Sequence, residues 1–318
     1  MKKFSRLTTA TLLLVFALSV PSFGWSDTGH MAVAFVAYQR LTPQARSRVD
    51  TLVALNPKFG IWSASIPAGT SAARKRLMLF MIASTWPDQI KGDPTYHADG
   101  PSGGNRPPTD GTADNNIGYS DLAMHKYWHF IDRPFSPDST PLENPSVPNA
   151  ETRIADFRAV LASTSPDQLK SYDLMWLLHL VGDVHQPLHC TSRFTAGQTS
   201  GDAGGNLVNV RDNGRTKRLH AFWDGLLGTS RNPADGITVG QGLAAAPASA
   251  GNNLNVSDWI DESFAAAQSK TYKNPPIGIG AGPFTITTTY RNAARTAARK
   301  RVALAGARLA NILNAELQ

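Results

Sequence analysis

The run Leu177-Leu178-His179-Leu180-Val181-Gly182-Asp183-Val184-His185-Gln186-Pro187-Leu188-His189 decides how this chain is read. It is apolar nearly all round, which marks a buried helix. That helix is expected to begin near Pro166-Asp167 and to run to about His185. His179 and Asp183 are four residues apart and so share one helical face. A buried carboxylate without a partner is very costly, so Asp183 must be paired or must hold a metal. Histidine with aspartate one turn later is a natural pair of zinc ligands.

The same spacing recurs at His220-Ala221-Phe222-Trp223-Asp224, in an aromatic setting. A third histidine with a nearby acid stands in Trp128-His129-Phe130-Ile131-Asp132, and a further acid, Asp88, in Trp86-Pro87-Asp88-Gln89-Ile90-Lys91. His30 lies in Trp25-Ser26-Asp27-Thr28-Gly29-His30. A single histidine on an apolar face is more often a core residue than a ligand. Here seven of the eight histidines lie in or near these segments, and that accumulation favours metal chemistry. His97 reads as solvated, His125 as structural or exposed. His185, two residues past Asp183, points away from the His179/Asp183 face and reads as a packing or supporting residue.

Around these motifs the pattern is mainly helical. Apolar spacing predicts helices over 28–41, 42–55, 72–84, 150–163, 166–185, 217–227, 257–267 and 288–317. Thr42-Pro43 and Ser257 read as helix starts. Strand signals are short, around Leu207–Val210 and Phe284–Thr287. Residues 92–120, 191–206 and 228–256 read as loops. With no internal repeat and no domain boundary, the expected fold is all-α, a single mainly helical domain (25–318) with long irregular loops around a metal cleft.

Residues 1–24 have the layout of a secretory signal peptide: Lys2, Lys3 and Arg6, an apolar stretch too short to span a bilayer, then Pro21-Ser22-Phe23-Gly24. Cleavage there makes Trp25 the first residue of an exported protein without a membrane anchor. It also takes the formal net charge from +7 to +4, since three cations and no acids are lost. A modest positive balance suits an anionic partner. Cys190 is the single cysteine, so no internal disulfide braces the chain, and a buried thiol is expected. The basic segment from Arg291 to Arg308 reads as a solvated helix face.

The motifs from Trp25/His30 through Trp-Pro-Asp88, Trp-His129-Phe-Ile-Asp132, His179–His189 and Asp202-Ala-Gly204-Gly205-Asn206 to Leu-His220-Ala-Phe-Trp-Asp224 fall in one order. In that order the chain resembles the zinc-dependent single-strand nuclease family, which is more distantly similar to zinc phospholipase C. The resemblance covers about residues 25–224 and implies three Zn2+ ions. Asp88, His129, His179 and Asp183 would hold one. The amino group and carbonyl of Trp25, with His30 and the bridging Asp183, would hold the second. His189, His220 and Asp224 would hold the third. It also implies that Phe130 stacks a nucleobase while Asp132, Gly205 and Asn206 bind its edge, and that Asp88 and Lys91 are catalytic. The implied substrates are single-stranded DNA and RNA and nucleotides, cut to 5′-phosphorylated products by a monomeric enzyme, with a 3′-nucleotidase activity alongside. A phospholipase C-type phosphodiesterase and a non-catalytic secreted zinc-binding protein are the competing readings. A zinc protease is disfavoured by the absence of His-Glu-x-x-His.

Overall fold

The structure is a computed structural model that describes residues 24–318. The expected signal peptide, residues 1–24, lies outside the described residues apart from Gly24. Among the described residues eight helices reach nine residues or more: α1 (Asp27–Gln39), α2 (Pro43–Val53), α3 (Ala72–Ala83), α4 (Ala150–Ala162), α5 (Asp167–Asp183), α6 (Pro233–Gln241), α7 (Val256–Ala266) and α8 (Thr288–Glu316). The all-α expectation holds, and no described helix is long and apolar enough to cross a membrane.

The central element is α5, packed against α1, α2, α4 and α8. From Ser171 onward every residue of α5 is buried, as its unbroken apolar run requires. Truncating one of its leucines, such as Leu177→Ala, should cost about 2–5 kcal/mol. Helix α1 lies between α6 and α8, and glycines allow the close approach. A Cβ on Gly240 would fall 2.3 Å from Phe35 Cδ1, and one on Gly306 2.5 Å from Val36 Cβ. Thr42 caps α2 as the sequence indicates, its hydroxyl accepting from Ala45 N at 3.1 Å.

The strands are short. β1 (Pro134–Phe135) pairs in parallel with β2 (Ser192–Arg193). β3 (Asn209–Asp212) forms an antiparallel hairpin with β4 (Arg215–Arg218) and a parallel pair with β5 (Phe284–Thr285). The hairpin turn is Asn213-Gly214, both at positive φ (49° and 78°), as a two-residue turn between twisted strands demands.

Three local expectations are corrected. The helix expected from 217 begins at Leu219, because the Asn213-Gly214 turn folds Arg215–Arg218 back onto β3. The loop expected over 228–256 contains α6, capped by Asn232 with Pro233 in the first turn; its Gly236 and Gly240 serve close packing, not flexibility. Asn255, not Ser257, caps α7: its side chain accepts from Ser257 N at 3.2 Å.

Candidate metal centre

Three segments converge on the C-terminal end of α5. His30 comes from α1, Asp88 from the short helix Trp86–Gln89 after α3, and His129 from the 3-10 turn Lys126–His129. His179 and Asp183 occupy the last turns of α5 itself. All five side chains are buried. The ring of His30 lies flat against Gly182, where a Cβ would sit 2.8 Å from His30 Nδ1. It also stacks on His179 with centroids 3.8 Å apart.

The distances between potential ligand atoms are short. His30 Nε2 is 3.3 Å from Asp183 Oδ1. His179 Nε2 is 3.2 Å from Asp183 Oδ2, 3.5 Å from Asp88 Oδ1 and 3.0 Å from His129 Nδ1. His129 Nδ1 is 3.0 Å from Asp183 Oδ2. A second cluster lies beside the first. His220 Nε2 is 3.0 Å from His189 Nε2 and 3.7 Å from Asp224 Oδ1. Donors on a tetrahedral ion with bonds near 2.0–2.1 Å stand about 3.3 Å apart. Three groups have their ligand atoms within 4.8 Å of one another, close enough to share an ion after small shifts: His30/Asp88/His179, His129/His179/Asp183 and His189/His220/Asp224.

A hydrogen-bonded cluster would use these atoms up; this one does not. Both ring nitrogens of His30, Asp88 Oδ2, His129 Nε2 and Asp183 Oδ1 are buried without a hydrogen-bond partner among the described residues. Buried polar atoms left in this state are rare unless something else binds them. Three histidines also direct Nδ1 at a backbone carbonyl: His179 to Ser84 O (2.8 Å), His189 to His129 O (2.7 Å) and His220 to Gly204 O (2.7 Å). Donation through Nδ1 turns Nε2 inward, the orientation in which an unprotonated Nε2 binds a metal. The residues therefore fit zinc in donor type, spacing and orientation.

The electrostatics agree. Burial lowers His30 to about 4 and His129 to about 3, so both rings are neutral at pH 7. Burial also works to lower His179, but the charges of Asp183 and Asp88 overcome it and raise this ring to about 10. His179 thus acts as the cation between two carboxylates, a role a metal ion would take over. Burial works to raise Asp88 and Asp183, yet Lys91 and His179 hold the first, and His179 and His189 the second, well below the ordinary carboxylate range. Asp224 is pushed well above it by burial and by the charges of Asp88 and Asp183. Lys91 Nζ is 2.7 Å from Asp88 Oδ1, with both side chains almost fully buried.

Trp25 is buried, and Ser26 N donates to Asp224 O at 3.1 Å. The backbone just before Trp25 runs into the cluster: a Cβ on Gly24 would lie 1.7 Å from Asp183 Oδ1 and 2.9 Å from His30 Nε2. Phe130, which follows His129 in the chain, lines a cavity of about 110 Å³ together with Asp132, Arg106, Glu143 and Asn144. Asp132 is raised to about 7, by burial first and by the charge of Asp202 second. Gly205 and Asn206 are not among the residues lining this cavity. They lie in a positive-φ turn in which Asp202 accepts from Gly205 N at 3.1 Å and Gly204 O supports His220.

The chain matches the family described as S1/P1 Nuclease over residues 25–318, all but the expected leader. It belongs to the S1/P1 nuclease family. Nuclease S1 of Aspergillus oryzae is 23% identical over 230 residues, 70% of this chain and 60% of that protein. Endonuclease 4 and Endonuclease 2 of Arabidopsis thaliana are 39% and 30% identical over 70 and 79 residues, 21% and 25% of this chain and 21% and 24% of theirs. The chain thus aligns with about 60% of Nuclease S1 and about a quarter or less of the plant proteins.

Several residues around this S1/P1 site were not legible in the motifs. Gln186 donates from Nε2 to Asp224 Oδ1 at 2.8 Å while its Oε1 accepts from Leu188 N at 2.6 Å. Its position inside the 183–189 run was the available signal. Arg106 and Glu143, 3.6 Å apart across the cavity rim, come from loops without periodicity and gave none. His185 is buried and bonded away from the cluster, in its expected supporting role, and His97 is exposed. His125 is structural and buried, not exposed. Cys190 is a buried free thiol, pushed up to about 12 by burial. The basic C-terminal helix departs from expectation: Arg295, Arg299 and Lys300 are exposed, but Arg301 and Arg308 are buried.

Proposed function

We propose that this chain is an exported, zinc-dependent nuclease that hydrolyses phosphodiester bonds of single-stranded DNA and RNA. The observation carrying this reading is the set of buried, unpartnered histidine and aspartate donors, in which His129 is the chain neighbour of Phe130 in the cavity wall. Asp88, His129, His179 and Asp183 would hold one Zn2+. His30, Asp183 and the chain end at Trp25 would hold a second, and His189, His220 and Asp224 a third. Zinc bound there supplies Lewis acidity and a nucleophile available at neutral pH.

The chain's own groups do the rest. Asp88 stays ionised despite its burial, so its free Oδ2 can accept a proton from the attacking water and orient it. The Lys91 ammonium, paired with the other oxygen of Asp88, would stabilise charge growing on the phosphoryl oxygens. The 3′ oxygen leaves, and the product carries a 5′-phosphate. Phe130 offers a stacking surface at the cavity, which an unpaired base can reach and a paired base cannot. Asp132 meets the base edge, and Gly205 and Asn206 extend the binding surface beyond the cavity. The same centre would act on 3′-nucleotides. Residues 1–24 would direct export, and the mature chain would act as a monomer.

The test is a chain beginning at Trp25, assayed side by side on single-stranded DNA, RNA, duplex DNA and phosphatidylcholine, with and without chelator. Chelator-sensitive cleavage of both single strands, slow on the duplex, is expected. Dominant lipid turnover would overturn the substrate assignment. Tightly held zinc without any phosphodiester hydrolysis would overturn catalysis.

A further inference from the structure

The turn Asp183–His189 carries a ligand at each end, and something must hold its length and direction. Helix α5 ends at Asp183, and its last carbonyls are met from the turn itself: Val184 N donates to Leu180 O, His185 N to Gly182 O and Gln186 N to Asp183 O. The next two carbonyls, of Val184 and His185, are held by two other helices. Ser263 of α7 donates to Val184 O at 2.5 Å, and Arg301 of α8 donates from Nε to His185 O at 3.2 Å. Arg301 also donates to Ser263 Oγ and, through Nη1, to Glu262 Oε2 at 2.6 Å.

The side chain of His185 completes the arrangement. Its Nδ1 donates to Val181 O at 2.7 Å, which leaves Nε2 as an acceptor. Arg308 Nη1 donates to that Nε2 at 2.9 Å. Arg308 is fully buried and makes two further bonds to Glu262, at 2.8 and 2.7 Å. Two buried guanidinium groups, braced by Glu262, thus grip the carbonyl and the imidazole of His185, while the Ser263 hydroxyl holds Val184 O. On the opposite side Gln186 ties the same turn to Asp224. Two cations at the C-terminal end of α5 also suit its dipole.

We propose that Arg308 and Arg301 are positioning residues for the metal centre: by clamping His185 and Glu262 they fix the spacing between Asp183 and His189. The inference rests on reading those two residues as metal ligands. Groups that orient metal ligands from behind commonly change metal affinity 10–100-fold when removed. Loss of the clamp lets the turn relax, so the ligand atoms no longer hold their separations.

The experiment is a competitive zinc titration against a chromophoric chelator, with the visible spectrum of the Co2+-substituted protein, on chains beginning at Trp25. Arg308→Met should weaken the affinity of at least one site by about tenfold or more and shift the Co2+ bands. Arg308→Lys, which keeps a charge and a donor, should recover part of both. Arg158→Ala is the control, because Arg158 holds the far end of α8 through Glu316 and touches nothing at His185. It should lower Tm while leaving zinc affinity and the Co2+ spectrum unchanged. If Arg308→Met fails to fold, Ser263→Ala removes one arm of the clamp and should weaken zinc at least about threefold, a smaller part of the same effect. Wild-type affinity and spectrum in whichever of these two variants folds would overturn the clamp alone. A wild-type chain that takes up no metal would overturn the metal reading and the clamp with it.

Discussion

Two buried histidine–aspartate sites lie within one fold and behave in opposite ways. His125 sits between Asp99 and Asp121, with Nδ1 2.7 Å from one carboxylate and Nε2 2.9 Å from the other. Its ring stacks on Trp128 at 3.5 Å, and its carboxylate partners raise its pKa over the opposing effect of burial. Every ring nitrogen there is satisfied, so the site is a clip that ties the 92–121 segment to the core. Around Asp183 the same residue types leave five buried donor or acceptor atoms without partners. Composition does not separate the two sites. What separates them is whether the lone pairs and N–H groups are used up within the protein.

The largest effect should come from the shared carboxylate. Asp183→Asn replaces an oxygen of the carboxylate proposed to bridge two of the ions by an amide, and should lower nuclease turnover by about 10³-fold or more together with zinc content measured by mass spectrometry. Full zinc in that variant would erase the contrast with His125. Lys91→Met should keep zinc but lower kcat by about 10²–10³-fold, as loss of a charge-stabilising donor does. Phe130→Ala should weaken binding of single-stranded oligonucleotides by about 1–3 kcal/mol, read as a raised KM, with metal content unchanged.

Asp132 gives a subtler, pH-dependent effect. With its carboxyl raised to about 7, it can donate a hydrogen bond below that pH and only accept one above it, which would alter its contact with a base edge in the proposed complex. The order of preference among homopolymer substrates should therefore change across pH 7 in the wild type, and Asp132→Asn should flatten that change. His125→Gln should have the least effect on chemistry. Its wild-type pKa is raised on folding, so the stability it contributes is fully present below 6.5 and is lost as pH rises through the raised folded value. The Tm gap between wild type and His125→Gln should then narrow with rising pH, while zinc content stays equal. Loss of zinc in His125→Gln would mean that the two sites are not distinct.

Much of the site was legible because its ligands come in local motifs. His179/Asp183 and His220/Asp224 are one helical turn apart, and buried helices preserve that spacing. The fold was legible where apolar periodicity was long, as in α5. It was not legible in α6, whose Gly236 and Gly240 resemble loop residues and are explained only by the approach of α1. Nor were Arg301 and Arg308, which read as surface charges until Glu262 and His185 are brought against them from other parts of the chain. The cavity walls at Arg106 and Glu143 belong to loops, where sequence pattern carries little information about position.

The most direct measurement is zinc stoichiometry on the chain that begins at Trp25, beside one that carries an extra residue before it. A Cβ built on Gly24 would fall 1.7 Å from Asp183 Oδ1 and 2.9 Å from His30 Nε2, so the proposed cleavage point lies beside the candidate ligands. Three zinc ions are expected for the first chain, one fewer for the second, and nuclease activity should fall with the lost ion. Equal zinc and equal activity in the two chains, or fewer than three ions in the first, would contradict this expectation.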